Sequence, residues 1–337
     1  MVQIHEVDPH DEPAFRAWYD ALERGATAGR EYPLISSYAA FVSSLRTPGP
    51  DLRRTPIVAL DAAGVVGAML LERPLKEDLQ TIEVEIDVPP EFRRRGIGTA
   101  LWQWARKYAA EHDRTVFQSE LNIPAGQTLR TAPGGAFALK YGFESKNVED
   151  HLVVPLPFDP ALLADIENGV ASAGYDVISW AGPCPPEQLD TLALMYTVMS
   201  QDVPTGELNR DAQVWDATRV ARNQQRLARN YLSVISLAVA RDVPAGYTEI
   251  LVPHEDERNV LQESTLVLSM HRGHGLGARL KAANLRTLAG HEGPRTALHT
   301  WTEIDNTPMQ RVNQRFGFTK VETLHEVETR SGPRRTL

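Results

Sequence analysis

Two stretches of the 337-residue chain combine residue types that could hold a ligand: Arg93-Arg94-Arg95-Gly96-Ile97-Gly98 and Arg272-Gly273-His274-Gly275-Leu276-Gly277. Both read Arg-x-x-Gly-x-Gly. Glycine lets the main chain approach a ligand closely and adopt conformations that a Cβ forbids. A helix that starts at such a turn offers unpaired N–H groups and the positive end of its dipole, which together suit phosphate. Neither of two common phosphate loops fits: Gly98-Thr99-Ala100 and Gly277-Ala278-Arg279 lack the lysine of a P-loop, and Leu101 and Leu280 stand where a dinucleotide loop needs its third glycine.

Other reactive residue types read more blandly. His271 and His274 have no third ligand near in sequence, so no metal is expected. Cys184 is the single cysteine; it lies in Gly182-Pro183-Cys184-Pro185-Pro186 without a neighbouring histidine, so neither a disulfide nor a nucleophilic role is expected.

The elements around the turns must position them. Thr81 to Val88 and Val260 to Leu268 read as strands before each turn, and Thr99 to His112 and Ala278 to Leu288 as helices after it. Ahead of the first turn come a strand over Val2 to Val7, helices over Glu12 to Thr27 and Ile35 to Leu45, and two strands joined by Ala62-Ala63-Gly64. A strand over Thr115 to Glu120 and a helix over Phe137 to Lys140 follow it. Leu156-Pro157-Phe158-Asp159-Pro160 interrupts the pattern, which then repeats from Tyr175 to Glu328. The expected organisation is a domain over residues 1–154, a linker over 155–173, a second domain over 174–330 and a frayed tail from Ser331 to Leu337.

Composition agrees with a soluble globular protein of two domains, 42% hydrophobic and 23% charged. No apolar run is long enough to span a bilayer, and Met1 to Glu6 has no signal-peptide character, so a cytoplasmic protein is expected. A net charge of −9 argues against nucleic acid or an anionic membrane as the main partner and is compatible with a cationic substrate.

The two turns, each between strand and helix and each followed by a Gly-Phe pair (Gly142-Phe143, Gly317-Phe318), resemble the pyrophosphate loop of the GNAT acyltransferase superfamily. The chain is similar to two such domains in tandem, with a layout like mycothiol synthase. In the second half the likeness extends to Asp202-Val203-Pro204-Thr205-Gly206, Leu280-Lys281-Ala282-Ala283-Asn284-Leu285 and Asn306, Met309, Val312-Asn313. The resemblance implies an α/β fold in which each domain is a central mixed, mostly antiparallel sheet flanked by helices.

It also implies an acyl donor, acetyl-CoA, placed at Val88, Arg94, Gly96, Ile97, Gly98 and Thr99 in the first half and at Val267, His274, Gly275, Leu276, Gly277 and Ala278 in the second. The superfamily's Asn-x-x-Ala-x-x-x-Tyr pattern before Gly-Phe gives Asn306, Met309 and Asn313 in the second half, but Thr131, Gly134 and Ala138 in the first. The second half therefore keeps the asparagine that holds the donor, and neither keeps the tyrosine that protonates the departing thiolate. Asn313 occupies that place and has no titratable proton, so chemistry at a single site belongs to the second half.

An alkylammonium is neutral about one time in 2,500 at pH 7, so its deprotonation calls for a carboxylate. By resemblance Glu263 is the candidate base, with Glu83 or Glu85 in the first half, and Asp202 is a candidate for binding the amine. The expected activity is direct acetyl transfer to a small-molecule amine in a ternary complex, by a monomer or homodimer without metal. Alternatives are a non-catalytic acyl-CoA-binding or regulatory protein, and transfer of another acyl group or to a hydroxyl.

Overall fold

The computed structural model describes residues 2–62, 64–169, 174–202, 208 and 210–331. Ala63, Val203 to Gly206, and the tail after Ser331 lie outside the described residues. So do positions 170–173, where the linker was expected to end.

The chain forms two compact units, one of residues 1–148, 205–211 and 323–337 and the other of 149–204 and 212–322. These bounds differ from a simple division at the expected linker. The two long strands that close the sequence of each half, Glu144–Pro155 (β6) and Thr319–Arg330 (β12), each contribute one part to either unit. Ser331, expected to be frayed, donates its backbone N–H to Thr115 O at 2.9 Å.

In the first unit β1 (Gln3–Glu6) is followed by helices α1 (Glu12–Ala26) and α2 (Tyr38–Arg46) and strands β2 (Leu52–Asp61), β3 (Gly64–Pro74) and β4 (Thr81–Asp87). After the first glycine turn come α3 (Ile97–Glu111), β5 (Val116–Pro124) and α4 (Pro133–Lys140). The strand order is β1-β2-β3-β4-β5, then the last part of β12 and the first part of β6. Helix α1 starts where Asp11 accepts from the Ala14 N–H, and its stripe of Phe15, Trp18 and Leu22 is buried on one face of the sheet with Val58, Ala68 and Leu70. Ile82, Val84, Leu101, Trp102 and Phe117 fill the other face, under α3. Burial of each of these large side chains is worth roughly 2–3 kcal/mol.

The second unit holds α5 (Pro160–Asn168), β7 (Asp176–Ala181), α6 (Leu189–Asp202), α7 (Ala217–Leu227), β8 (Tyr231–Ala240), β9 (Val243–Pro253) and β10 (Asn259–Val267). The second turn leads to α8 (Leu276–Leu288), β11 (Ala297–Glu303) and α9 (Thr307–Arg315). The order is β7-β8-β9-β10-β11, then the last part of β6 and the start of β12. Leu192, Tyr196, Val220, Ile235, Tyr247 and Leu266 pack on the α6 and α7 face, while Val260, Ala282, Leu285, Leu298 and Phe316 pack on the α8 face.

One parallel pair marks each unit. β4 and β5 pair only from Thr81↔Val116 to Glu83↔Gln118, and β10 and β11 only from Asn259↔Ala297 to Leu261↔His299. Beyond those residues each seam opens toward its glycine turn.

The second unit also buries a polar chain. His151 Nδ1 lies 2.8 Å from Glu322 Oε1, and its Nε2 lies 2.9 Å from His299 Nδ1. His299 Nε2 is 2.9 Å from Asn259 Oδ1, and Asn259 Nδ2 donates to Asp256. That last bond fixes the amide, so His299 carries its proton on Nε2 and accepts from His151 at Nδ1.

Candidate active site

The two turns are built alike. Positive φ occurs at Arg94 (62°) and Gly96 (83°) in the first and at Gly273 (85°) and Gly275 (69°) in the second. Gly96 and Gly275 serve as N-caps without a side chain, so the first N–H groups of α3 and α8 are open to an anion. A Cβ on Gly96 or Gly273 would meet nothing within 4 Å, and one on Gly277 would meet only Val267 Cγ2 at 3.8 Å. Together these features give an open backbone cradle at each helix N-terminus. The side chains of Ile97, Leu276 and Ala278 are buried in the core, which leaves only their main chain for a ligand.

The leading arginines act on the protein itself. Arg93 donates from Nε to Val88 O at 2.8 Å, and Arg272 from Nε to Val267 O at 3.0 Å. Each therefore ties its turn to the strand before it. Residue types alone do not announce this tie, although the shared five-residue spacing from valine to arginine is visible in the sequence. Arg272 also pairs with Asp202 at 2.9 Å, so the candidate amine ligand is held by the turn. His274 is exposed near the ring of Tyr175, whose hydroxyl lies 3.1 Å from His271 Nδ1. Among the described residues no group of three His, Cys, Asp or Glu side chains is placed to hold a metal. Cys184 is buried, and burial pushes its thiol up to about 11.

The first unit's site is narrowed. Phe137 on α4 lies where a Cβ on Gly98 would meet it at 3.1 Å, and Tyr141 donates its hydroxyl to Thr99 Oγ1 at 2.8 Å. β4 pairs with β3 in unbroken register from Glu83 to Asp87. Alternation puts Ile82 and Val84 in the core, with Glu83, Glu85 and Asp87 on the opposite face. Crowding by neighbouring groups, with the charges of Glu72 and Glu120, raises the Glu83 and Glu85 carboxyls, although both side chains keep an exposed surface.

The second unit differs at the same places. β10 follows β9 as Leu261↔Leu251 and Gln262↔Ile250, then resumes at Thr265↔Thr248. Glu263 and Ser264 thus form a β-bulge opposite the single residue Glu249. Glu249 is 7% exposed and accepts from Tyr196 Oη at 2.9 Å, while its Oε1 is buried without a partner. Burial, outweighing the Tyr196 bond and added to by Glu263, pushes the Glu249 carboxyl up to about 7. The expected base, Glu263, is exposed on the bulge beside it. Nothing in the residue pattern marked Glu249, because one acidic residue within Val243–Pro253 reads as a solvent-facing strand position.

Asn306 caps α9 by accepting from the Met309 N–H at 3.2 Å. Asn313 is 1% exposed; its Nδ2 donates to Thr302 Oγ1 at 2.8 Å and its Oδ1 accepts from Lys281 Nζ at 2.9 Å.

Comparison with known proteins agrees with this geometry. The profile of the Acetyltransferase (GNAT) family matches residues 15–127 and 199–318, more than half of the chain, and the chain belongs to that family. No curated protein matches it in sequence. Among solved structures it is similar to a tandem GNAT protein from the clavulanic acid biosynthesis pathway, with 28% identity, 99% of each chain covered and a TM-score of 0.81. A GCN5-related N-acetyltransferase from Sphaerobacter thermophilus shares the fold at 15% identity, covering 100% of this chain and 98% of that one, with a TM-score of 0.66. A fungal glucosamine N-acetyltransferase region, within a multi-domain GH3 β-N-acetylglucosaminidase, shares it at 15% identity and TM-score 0.66, over 98% of this chain and 38% of that one. The chain is thus a tandem acyltransferase of the GNAT class with a mixed α/β fold. No helix among the described residues is long and apolar enough to cross a membrane.

Proposed function

We propose that the chain transfers acetyl from acetyl-CoA to the amine of a small molecule, and that the second unit carries the chemistry. The observation that carries this reading is Glu249, a buried carboxyl on β9 opposite the bulge of β10, with one oxygen lacking a hydrogen-bond partner. Taking a proton from an ammonium near neutral pH calls for a group that titrates there, and Glu249 does. In this reading Glu263 and Asp202 attract the cationic acceptor at the mouth and Glu249 takes its proton. The amine then attacks the thioester directly, with no acyl-enzyme.

The donor's diphosphate would rest on the main chain from His274 to Ala278, with Val267 main chain and Asn306 along its arm. A backbone cradle free of nearby side-chain atoms supports that fit. The tandem relative from the clavulanic acid biosynthesis pathway supports a small-molecule acceptor rather than a protein.

For the first unit, the non-catalytic alternative is favoured by a specific contrast. Three residues past the glycine that faces the strand, Glu249 follows Gly246, whereas the buried Leu70 follows Gly67. The first unit then binds acetyl-CoA without turnover or serves the fold alone.

Calorimetric titration of acetyl-CoA into the protein and into Gly96→Glu and Gly275→Glu tests this, alongside thiol release with a panel of amines. The expected result is turnover abolished by Gly275→Glu and kept by Gly96→Glu. Absence of acetyl-CoA binding in the intact protein would sink the reading.

A further inference from the structure

Lys281 is 2% exposed, on the face of α8 that looks toward the sheet. It is held by Asn313 Oδ1 at 2.9 Å from α9, and its ammonium lies 5.5 Å from the ring centre of Phe318. Through Asn313 it connects to Thr302 of β11, three residues beyond His299, where the seam with β10 has opened. Burial is the sole cause that moves its titration, lowering it to about 7; no carboxylate or other cation contributes. A buried ammonium with neutral partners alone is costly, and groups so strongly shifted by burial cluster at functional sites.

The first unit shows that the fold does not require this group. Six residues past the turn glycine, Trp102 stands in place of Lys281. Four residues before the Gly-Phe glycine, Ala138 stands in place of Asn313, and three residues past the last parallel pair, Leu121 stands in place of Thr302. Trp102 and Ala138 are core residues of that unit and Leu121 packs against them. The same scaffold is therefore apolar at all three positions in one copy and polar in the other. The polar copy is the one that also carries Glu249 and the bulge.

We propose that Lys281 is the acid of the second unit, giving its proton to the thiolate that leaves when the thioester is cleaved. This rests on the acyl-transfer reading above. The acceptor nitrogen forms a bond to the acyl carbon, the carbon–sulfur bond breaks with its electron pair going to sulfur, and the Lys281 ammonium protonates that sulfur and becomes an amine. The acceptor ammonium loses two protons: the first goes to Glu249 before attack, the second leaves the nitrogen for solvent as the amide forms, and exchange with solvent returns Glu249 and Lys281 to their starting states. A thiol near pKa 8.5 leaves more easily with a proton supplied, and an amine that titrates near neutrality supplies it at little cost.

The test is Lys281→Met, whose apolar side chain the first unit's Trp102 shows the scaffold can house. With acetyl-CoA, kcat/KM is expected to fall about 100-fold or more, and the alkaline limb near pH 7 is expected to vanish. With the acetyl thioester of nitrothiophenol, whose thiolate leaves without a proton, the loss is expected to shrink to within about threefold. A binding readout stands apart from turnover: in protein with carbon-labelled lysine, the Lys281 titration is expected to rise when CoA binds and to stay put when desulfo-CoA binds. If wild type acetylates amines but the loss is equal for both donors, or CoA and desulfo-CoA act alike, Lys281 does not serve the sulfur and the assignment is overturned. If wild type transfers no acyl group, the underlying reading falls and this one with it.

Discussion

Arg272 Nε donates to the Val267 carbonyl oxygen at 3.0 Å, which makes the first residue of the second glycine turn a tie to β10. Val267 ends β10 just beyond the bulge that carries Glu263 and Ser264. Arg272→Ala should therefore loosen the cradle without removing a phosphate contact. Acetyl-CoA affinity is expected to fall by about 3- to 10-fold, in line with one charge-assisted hydrogen bond at a partly exposed site. The salt dependence of binding is expected to stay as in wild type, which calorimetry at several ionic strengths would check; a flatter dependence would mean that Arg272 meets the phosphates.

Glu249 must be ionised to accept a proton, so kcat/KM is expected to rise as pH approaches about 7, the acid limb of a bell whose alkaline limb belongs to Lys281. Glu249→Gln should remove that limb and lower the rate about 100- to 10,000-fold, the range typical of general-base loss. Its stability effect has the opposite slope. The folded carboxyl titrates above its unfolded value near 4.3, so the native state binds more protons between about 4.5 and 7, and stability declines as pH rises through that window. Denaturant titrations at pH 5 and 7.5 should show the decline in wild type and less of it in Glu249→Gln.

His299 works the other way. Burial, then the neighbouring His151, lowers it to about 3 from the usual 6.5. The unfolded chain binds more protons between those values, so the contribution of His299 is present above about 6.5 and is lost as pH falls toward 3. His299→Asn, whose amide can still accept from His151, is expected to lower stability at neutral pH and to flatten the acid slope. An unchanged slope in urea titrations would contradict the buried, neutral ring.

The two turns should respond unequally to a methyl group. Gly98→Ala brings a Cβ to 3.1 Å from Phe137, whereas Gly277→Ala meets Val267 Cγ2 at 3.8 Å. The first substitution should cost about 1 kcal/mol or more, the scale of an overpacked contact, and the second should be near neutral or slightly stabilising through helix propensity. Thermal melts of both variants decide this; a neutral Gly98→Ala would mean that Phe137 turns aside freely.

The elements of the fold were legible because local patterning encodes them. Period-3.6 stripes such as Phe15, Trp18 and Leu22 marked the helices, and the glycine pairs marked the turns. Less legible was anything set by distant residues. Glu249 and Lys281 sit in stretches whose charged residues read as solvated, and only the packing of α6 and α9 against them removes the water. The face of Glu263 depended on the bulge, which no run of residue types announces. The allotment of β6 and β12 depends on partners that lie far off in sequence, as Gln118 Nε2 to Glu328 Oε2 at 3.0 Å shows.

That allotment sets an order of events during synthesis. The first unit needs Thr323 to Ser331, where Val327 joins its core and Ser331 closes on Thr115. The first unit is consequently completed only by a strand far along the sequence: β5 keeps an unpaired edge until Thr323 to Ser331 has been made and has docked. Until then the chain carries an open strand edge, and the acidic side chains of Glu326 and Glu328 on the strand that seals it are suited to keeping that late partner from pairing elsewhere.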